Sequence, residues 1–546
     1  MAITCTDCAK EFVLDGQDKE LLSRLNVPNP TKCPVCRLQR RLAYWTFGKF
    51  RQRQDDITGK MIISVFGSDV RFPVTDRSNW HSDNWVAPSM EIDFSRSFFE
   101  QLKELQEQTP HFHMLGDDKN VNCDYSDDVW SCKDCYHCRS MYKVENSHFI
   151  YRVIEARDCL DCTYSYNLEN CYDNTYCFKN YQLFYSLDSR DCTDSYFLYD
   201  CRGVKNSFMC WNLRNKEYCI RNKQYSAEEY NKEIQKIKLN SWQTIKELKN
   251  EFTEHLQTDA IHRVTYQNKC EECEGNYLNN CKNITNGFFV EDSENCQNIF
   301  RSIENKDTLD VTGALAEELS YETIQSAELY NVKFAAMSIR CRDSEYLDQC
   351  IDLDQCFGCV GLKKKKYSIL NKQYSENDYK NLKDKIISKM KADGEYGEFL
   401  PYNMMYTGYN QSFANYYFPQ TRDNILNKGG YWDEIESSEE GSRSAVQLSD
   451  IVENYDEVVG KVLSCEVTKR DFKIVPQEIE FYKQHKIPVP RIHPDERNLQ
   501  RFRMMPGIKP YVIKCNACND DLLTYYPPEW GYKKILCDTC YMGWIY

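Results

Sequence analysis

The pentapeptide Asn-Lys-Gln-Tyr-Ser occurs twice, in IRNKQYSAEEY at 220–230 and ILNKQYSENDY at 369–379. The same offset of 149 residues carries Cys192, Cys201, Cys210, Tyr218 and Tyr230 onto Cys341, Cys350, Cys359, Tyr367 and Tyr379. The chain is therefore read as one unit built twice, before any local structure is assigned. Ahead of each pentapeptide lies a field of short segments such as DCLDCTYS, DCTDSYFLY, GVKNSFMCW and NCKNITNGFF. Asn, Asp and Gly suit tight turns, and Tyr, Phe, Ile and Val suit a pleated, half-buried surface. Segment starts at Ser147, Cys159, Cys171, Cys192 and Val204 are mostly twelve residues apart, too close for βαβ units and right for the sides of a coiled ladder. Two β-solenoid segments are expected, with their single cysteines turned inward as small apolar side chains.

After each pentapeptide the pattern becomes helical and charged. Ser226 and Glu229 form the signature of a capping box, and an amphipathic helix here would cover the open end of the last coil. The expected fold is mainly β with α: terminal zinc-ribbon pairs flanking two duplicated β-solenoid segments, each followed by a capping helix. The expected boundaries are 1–90 and 461–546 for the ribbon pairs, 91–120 for a helix and connector, 121–225 and 263–374 for the solenoids. Helices are expected at 226–262 and 375–392, and an aromatic strap with an acidic linker at 393–460.

The termini carry the chemistry. Cys5, Cys8, Cys33 and Cys36 form two C-x-x-C pairs, as do Cys515, Cys518, Cys537 and Cys540. Two such knuckles folded together present four thiolates to one tetrahedral ion, with zinc expected and a rubredoxin-like iron the minority choice. Closed shells of four thiolates are structural, so no catalytic or cofactor-binding residue is assigned. An offset of 460 places Cys465, Thr468, His493 and Glu496 on Cys5, Cys8, Cys33 and Cys36, a second copy whose metal set is lost. Extending it sets Asp55 and Thr58 against Cys515 and Cys518, so each terminus reads as two ribbons, one of them degenerate. Further cysteine sets at Cys132/Cys135/Cys138, Cys159/Cys162, Cys270/Cys273 and Cys356/Cys359 fit solenoid packing better than another quartet.

These segments, with ITGKMIIS, DFSRSFFEQLKELQ and PQEIEFYKQHKIPVPRIHPDERNLQR, resemble a family of uncharacterised, cysteine-rich zinc-ribbon proteins common in candidate-phyla-radiation bacteria. The resemblance implies a cytoplasmic zinc protein and supplies no reaction. The chain departs from that pattern at Asp55, Thr58, Arg77 and Trp80.

Net charge is −14, yet residues 1–60 carry +4 and 461–514 carry +6 around an acidic body of −22. Basic ends fit contact with a polyanion. Arg37, Arg40, Arg41, Lys49, Arg51 and Arg53 lie near Tyr44, Trp45 and Phe47, and Arg491, Arg497, Arg501 and Arg503 lie at the other end. Cations for phosphates beside rings for bases suit RNA, so the expected role is a non-enzymatic scaffold docking RNA or a ribonucleoprotein such as the ribosome. Self-assembly into oligomers or filaments and an enzyme in the solenoid groove are the alternatives. No phosphate-binding, dinucleotide or hydrolase motif supports the last, no small-molecule substrate is evident, and His111 and His113 with Asp117 and Asp118 read as structural. No stretch of eighteen apolar residues, no leader, and twenty-nine cysteines spaced largely as C-x-x-C lead to the expectation of a reduced, cytoplasmic chain without membrane contact.

Overall fold

Two ladders of strands, each strand bonded to the next in chain order, organise the protein. The computed structural model describes residues 2–545 apart from Gly48, Asp118, Asn146, 148–150, 158–162, 170–178 and 435–444. The expected coil starts at Cys159 and Cys171, the Cys159/Cys162 pair, Asp118 and the acidic linker ESSEEGSRS lie outside the described residues.

The chain divides into two units. The first joins residues 1–114 to 265–434, and the second joins 115–264 to 435–546. The ribbon pair that opens the sequence therefore belongs with the second ladder, and the pair that ends it belongs with the first. Buried polar contacts described below join the opening pair to the second ladder.

In the first unit eleven strands run from Gln267–Asn268 to Lys372–Gln373, parallel except for the closing hairpin. From Gly275 onward parallel partners are twelve residues apart, as in Leu309↔Tyr321, Arg342↔Asp354 and Asp354↔Lys366, and before it they are eleven apart. One irregularity occurs where Cys273↔Ile284 gives way to Gly275↔Gly287. Gly275 has φ +142°, and a Cβ there would stand 1.9 Å from the carbonyl oxygen of Gly287, so the bulge requires glycine.

Within each twelve-residue step every third residue takes a left-handed conformation: Asn280, Asn283, Asn286, Phe289, Asp292, Asn295 and Asn298 in one run. Asn and Asp bear this conformation better than other side chains, which explains the Asn-Cys and Asp-Cys dipeptides. The following residue turns inward, and Cys281, Ile284, Val290, Ser293, Cys296 and Ile299 are all buried. Four such corners per step leave a narrow interior, which accounts for its Cys, Ser, Val, Thr and Leu content.

The outer face of this ladder stacks Phe334 on Tyr346 with centroids 4.6 Å apart, and Phe98 of the helix Phe98–Gln108 packs edge-on against Tyr346. In the aromatic segment after the second ladder Tyr402, Tyr406, Tyr409 and Phe413 are buried.

In the second unit a ladder of nine strands among the described residues runs from Asp127–Trp130 to Lys223–Gln224. The helix Trp242–Thr258 lays Ile245, Leu248 and Phe252 into a core shared with Phe197 of the ladder and with Phe481 and Tyr482 of a ribbon.

Both ladders close identically. Ile220↔Lys223 and Cys219↔Gln224 pair antiparallel, as do Ile369↔Lys372 and Ser368↔Gln373, 149 residues further on. Ser226 caps the next helix in a capping box with Glu229, and Ser375 caps its counterpart by accepting from the backbone N–H of Asp378. Among the described residues no helix is long and apolar enough to cross a membrane.

Candidate metal centres

Four ribbons share one first knuckle. The N–H groups of Cys5, Asp55, Cys465 and Cys515 donate to the carbonyls of Lys10, Lys60, Arg470 and Asp520, at 2.8–2.9 Å. Four residues after each start, Ala9, Gly59, Lys469 and Asn519 stand in the left-handed region and donate back to the starting residue's carbonyl. The turn is thus fixed by backbone, with or without cysteines.

The second knuckle reaches the first through one more bond. The N–H of Cys33 donates to the Cys5 sulfur at 3.3 Å, that of His493 to the Cys465 sulfur at 3.2 Å, and that of Cys537 to the Cys515 sulfur at 3.4 Å. In the remaining ribbon the N–H of Asp76 donates to Asp55 Oδ2 at 2.8 Å. A helix follows each second knuckle, the first with Pro34 in its opening turn and Cys33 as its N-cap.

Only the outer ribbons bring four sulfurs together among the described residues. Cys5, Cys8, Cys33 and Cys36 have all Sγ atoms within 4.8 Å of one another, as do Cys515, Cys518, Cys537 and Cys540. The Sγ atoms of Cys8 and Cys33 stand 3.8 Å apart, and so do those of Cys518 and Cys537. No disulfide joins these thiols. A hydrogen bond from Cys36 brings the Cys33 thiol down to about 5 and pushes Cys36 up. Burial raises Cys515, but the backbone N–H groups of Cys518 and Cys537 more than offset this and bring it to about 6. Donors aimed at sulfur stabilise thiolate, so these residues fit a cation with a closed shell of four sulfurs and no open position for a substrate.

The inner ribbons close by other means. Asp55 accepts from the N–H groups of Ile57, Thr58 and Asp76 and from the Thr75 hydroxyl at 2.8–3.0 Å, and its carboxyl lies below the ordinary range because these bonds outweigh desolvation. Cys465 accepts from Thr468 and His493, while the His493 ring turns away, its Nδ1 taking the N–H of Asp495. His493 is therefore a helix cap, and the degenerate ribbons are held by hydrogen bonds. The sequence shows the loss of ligands but gives no sign that Asp55 replaces them.

The basic residues assigned to nucleic acid are placed very unequally. Arg37, Arg40 and Arg41, on the helix Pro34–Leu42, are buried against the second ladder. Arg37 Nε lies 2.7 Å from Asp310, Arg41 lies 3.3 Å from Asp310, and Arg40 lies 3.1 Å from Glu322 and 2.7 Å from Glu398. Burial alone would raise Glu398, yet Arg40 and Lys32 bring it down to about 2. These three arginines are interior ion-pair partners rather than a phosphate-binding face. Arg53 is also buried, donating to Gly67 and pairing with Asp56. Lys49 and Arg51 are half-buried, and the Lys49 backbone donates to Gln411.

At the other end, Arg497 is buried at 3.0 Å from both Glu478 and the Tyr482 hydroxyl, and Arg501 is buried beside it on the helix Pro494–Phe502. Arg491 is half-buried and donates to the Ser449 carbonyl, and Arg503 alone of the ten is exposed. Tyr44 and Trp45 are core residues, the first bonded to Pro401 and the second packed on Phe413. His111 stacks on Phe72, and His113 Nδ1 accepts the N–H of Arg77, which gives both structural roles. The chain matches no protein-family profile, no curated protein and no solved structure.

Proposed function

We propose that this chain is a non-enzymatic, zinc-binding scaffold of the cytoplasm. In it two duplicated β-solenoids each carry a ribbon pair on the flank, and an exposed basic rim engages a structured polyanion such as RNA or a ribonucleoprotein. The observation that carries the reading is the closed arrangement of four sulfurs at both ends, which suits a structural ion and offers a reactant no position. Zinc is preferred to iron because it needs no redox partner and takes a tetrahedral thiolate set without strain. Twelve-residue registers and the repeated closing hairpin support the solenoid and its duplication.

The buried arginines move the expected contact away from the N-terminal helix. Lys461, Lys469, Lys473, Lys486, Arg503, Lys509 and Lys514 of the C-terminal ribbons are exposed, with Lys509 lying over the Tyr511 ring. The test is binding of the full chain to structured RNA across a salt series. Affinity that falls steeply with salt, and falls again in a Lys469→Glu/Lys473→Glu/Lys509→Glu variant, supports the reading. Salt-insensitive growth in particle size without RNA binding would replace it with self-assembly.

A further inference from the structure

The two ends of the second ladder leave the same wall of the coil without a neighbouring strand. At the start, Gln267 and Asn268 pair with Leu278 and Asn279, so among the described residues Glu271 has a strand on one side alone, in register with Lys282. At the finish, the closing hairpin takes Ser368 and Ile369, and Lys366 is in register with Asp354 on one side alone. A single column of paired residues joins these two walls coil by coil. It opens on Glu271, Lys282 and Glu294 and closes on Arg342, Asp354 and Lys366, so charge alternates at both ends. Lys366 Nζ lies 2.7 Å from Asp354 in this column.

Both walls are exposed, and they are of opposite sign. The first carries Glu271, Glu272 and Glu274 beside Lys269, and the last carries Lys364, Lys365 and Lys366. Lys365 shows how open the last wall is. It follows the left-handed Lys364, as inward residues do, and its counterpart one coil earlier, Leu353, is sealed. A strand edge with no neighbour is a template for another strand, and lysines on it repel a like edge. The acidic edge is attracted instead. Two copies therefore fit in one polarity, the start of one ladder on the finish of the other, and Glu271 of the incoming copy then follows Lys366 in the alternating column.

We propose that this chain associates with a second copy head to tail through the second ladder, the acidic edge at 271–274 of one copy adding to the basic edge at 364–366 of the next. The contact is heterologous, so growth continues from copy to copy unless the rotation between them closes a ring. It does not rest on RNA binding, for which the exposed lysines lie in the C-terminal ribbons.

Sedimentation equilibrium of the full chain, freed of nucleic acid by nuclease, reads the result. Weight-average mass should rise with concentration at about 0.1 M salt and fall back toward that of one chain at about 1 M, where the screening length drops from about 10 Å to about 3 Å. Lys364→Glu/Lys365→Glu gives a ladder with two acidic ends, and Glu272→Lys/Glu274→Lys gives one with two basic ends. Glu271 and Lys366, which have partners within the chain, are left intact. Each variant alone should associate at least about tenfold more weakly, and an equal mixture of the two should recover association. A chain that stays single at every concentration, association indifferent to both changes, or a mixture no better than its components overturns the proposal. Should a variant fail to fold, carbodiimide coupling of mixed isotopically light and heavy unaltered chains decides. Amides joining Lys364 or Lys365 of one isotope to Glu272 or Glu274 of the other are expected, and their absence contradicts the contact.

Discussion

Arg37 and Asp310, 273 residues apart in the chain, form an ion pair 2.7 Å long with both side chains inaccessible to solvent. With Arg40, Arg41, Glu322 and Glu398 they bind the first ribbon to the second ladder, three guanidinium groups facing three carboxylates. Removing Asp310 leaves two guanidinium groups facing one carboxylate fewer. Asp310→Ala is expected to destabilise the first unit by about 3–5 kcal/mol. Because the pair is buried, the loss should be nearly the same at low and high salt, as read by denaturant unfolding in each.

The two copies of the pentapeptide end the ladders by the same device. Asn371 accepts the Val360 N–H and donates to its carbonyl, and Asn222 does the same to Trp211. The side-chain amide thereby replaces the next strand. Gln224 and Gln373 donate to Glu217 and Lys366, and Tyr225 and Tyr374 bond back to Tyr218 and Tyr367. Asn371→Ala should cost about 1–3 kcal/mol by leaving the Val360 backbone unpaired. Hydrogen exchange is expected to rise first at Val360, and uniform exchange across the ladder would argue against local capping.

Ribbons of two kinds should respond differently to a chelator. Removing metal is expected to unfold the segments around Cys5–Cys36 and Cys515–Cys540, since the ion supplies much of their folding energy. The Asp55 ribbon should remain folded, and Asp55→Ala should loosen it with no change in metal content. Chelation followed by residue-resolved proteolysis separates the two behaviours.

Glu317 is a buried residue of the second ladder, beside Asn305, Ser320 and Thr323. Burial pushes its carboxyl from 4.5 up to about 8, against a hydrogen bond from Thr323 that lowers it. A carboxyl raised on folding contributes most below its unfolded value, and that contribution is lost as pH climbs to the folded value. Stability should fall between about pH 4.5 and pH 8 by up to about 1.4 kcal/mol per unit. Glu317→Gln should flatten that slope, and identical pH profiles for the two proteins would show Glu317 to be solvated.

Much of this was legible in the residues. The two terminal cysteine quartets and the helices begun by Ser226 and Ser375 are local signals, set by spacing and capping chemistry. The three-residue corner period was written in dipeptides such as Asn280-Cys281 and Asp191-Cys192, yet a twelve-residue search passes over it. Arg37 could not be placed, because its carboxylate lies 273 residues away in the chain and a buried arginine has the same letter as an exposed one. Asp55 was equally opaque, since a carboxylate taking over the bonds of a thiolate leaves no spacing motif.

Zinc per chain, measured on purified protein by native mass spectrometry, bears most directly on the ribbons. Two ions are expected, one lost in Cys8→Ser and the other in Cys518→Ser, with both kept in Cys465→Ser and Asp55→Ala. A chain holding no metal, a Cys8–Cys33 disulfide, or loss of an ion with Cys465 would contradict the assignment.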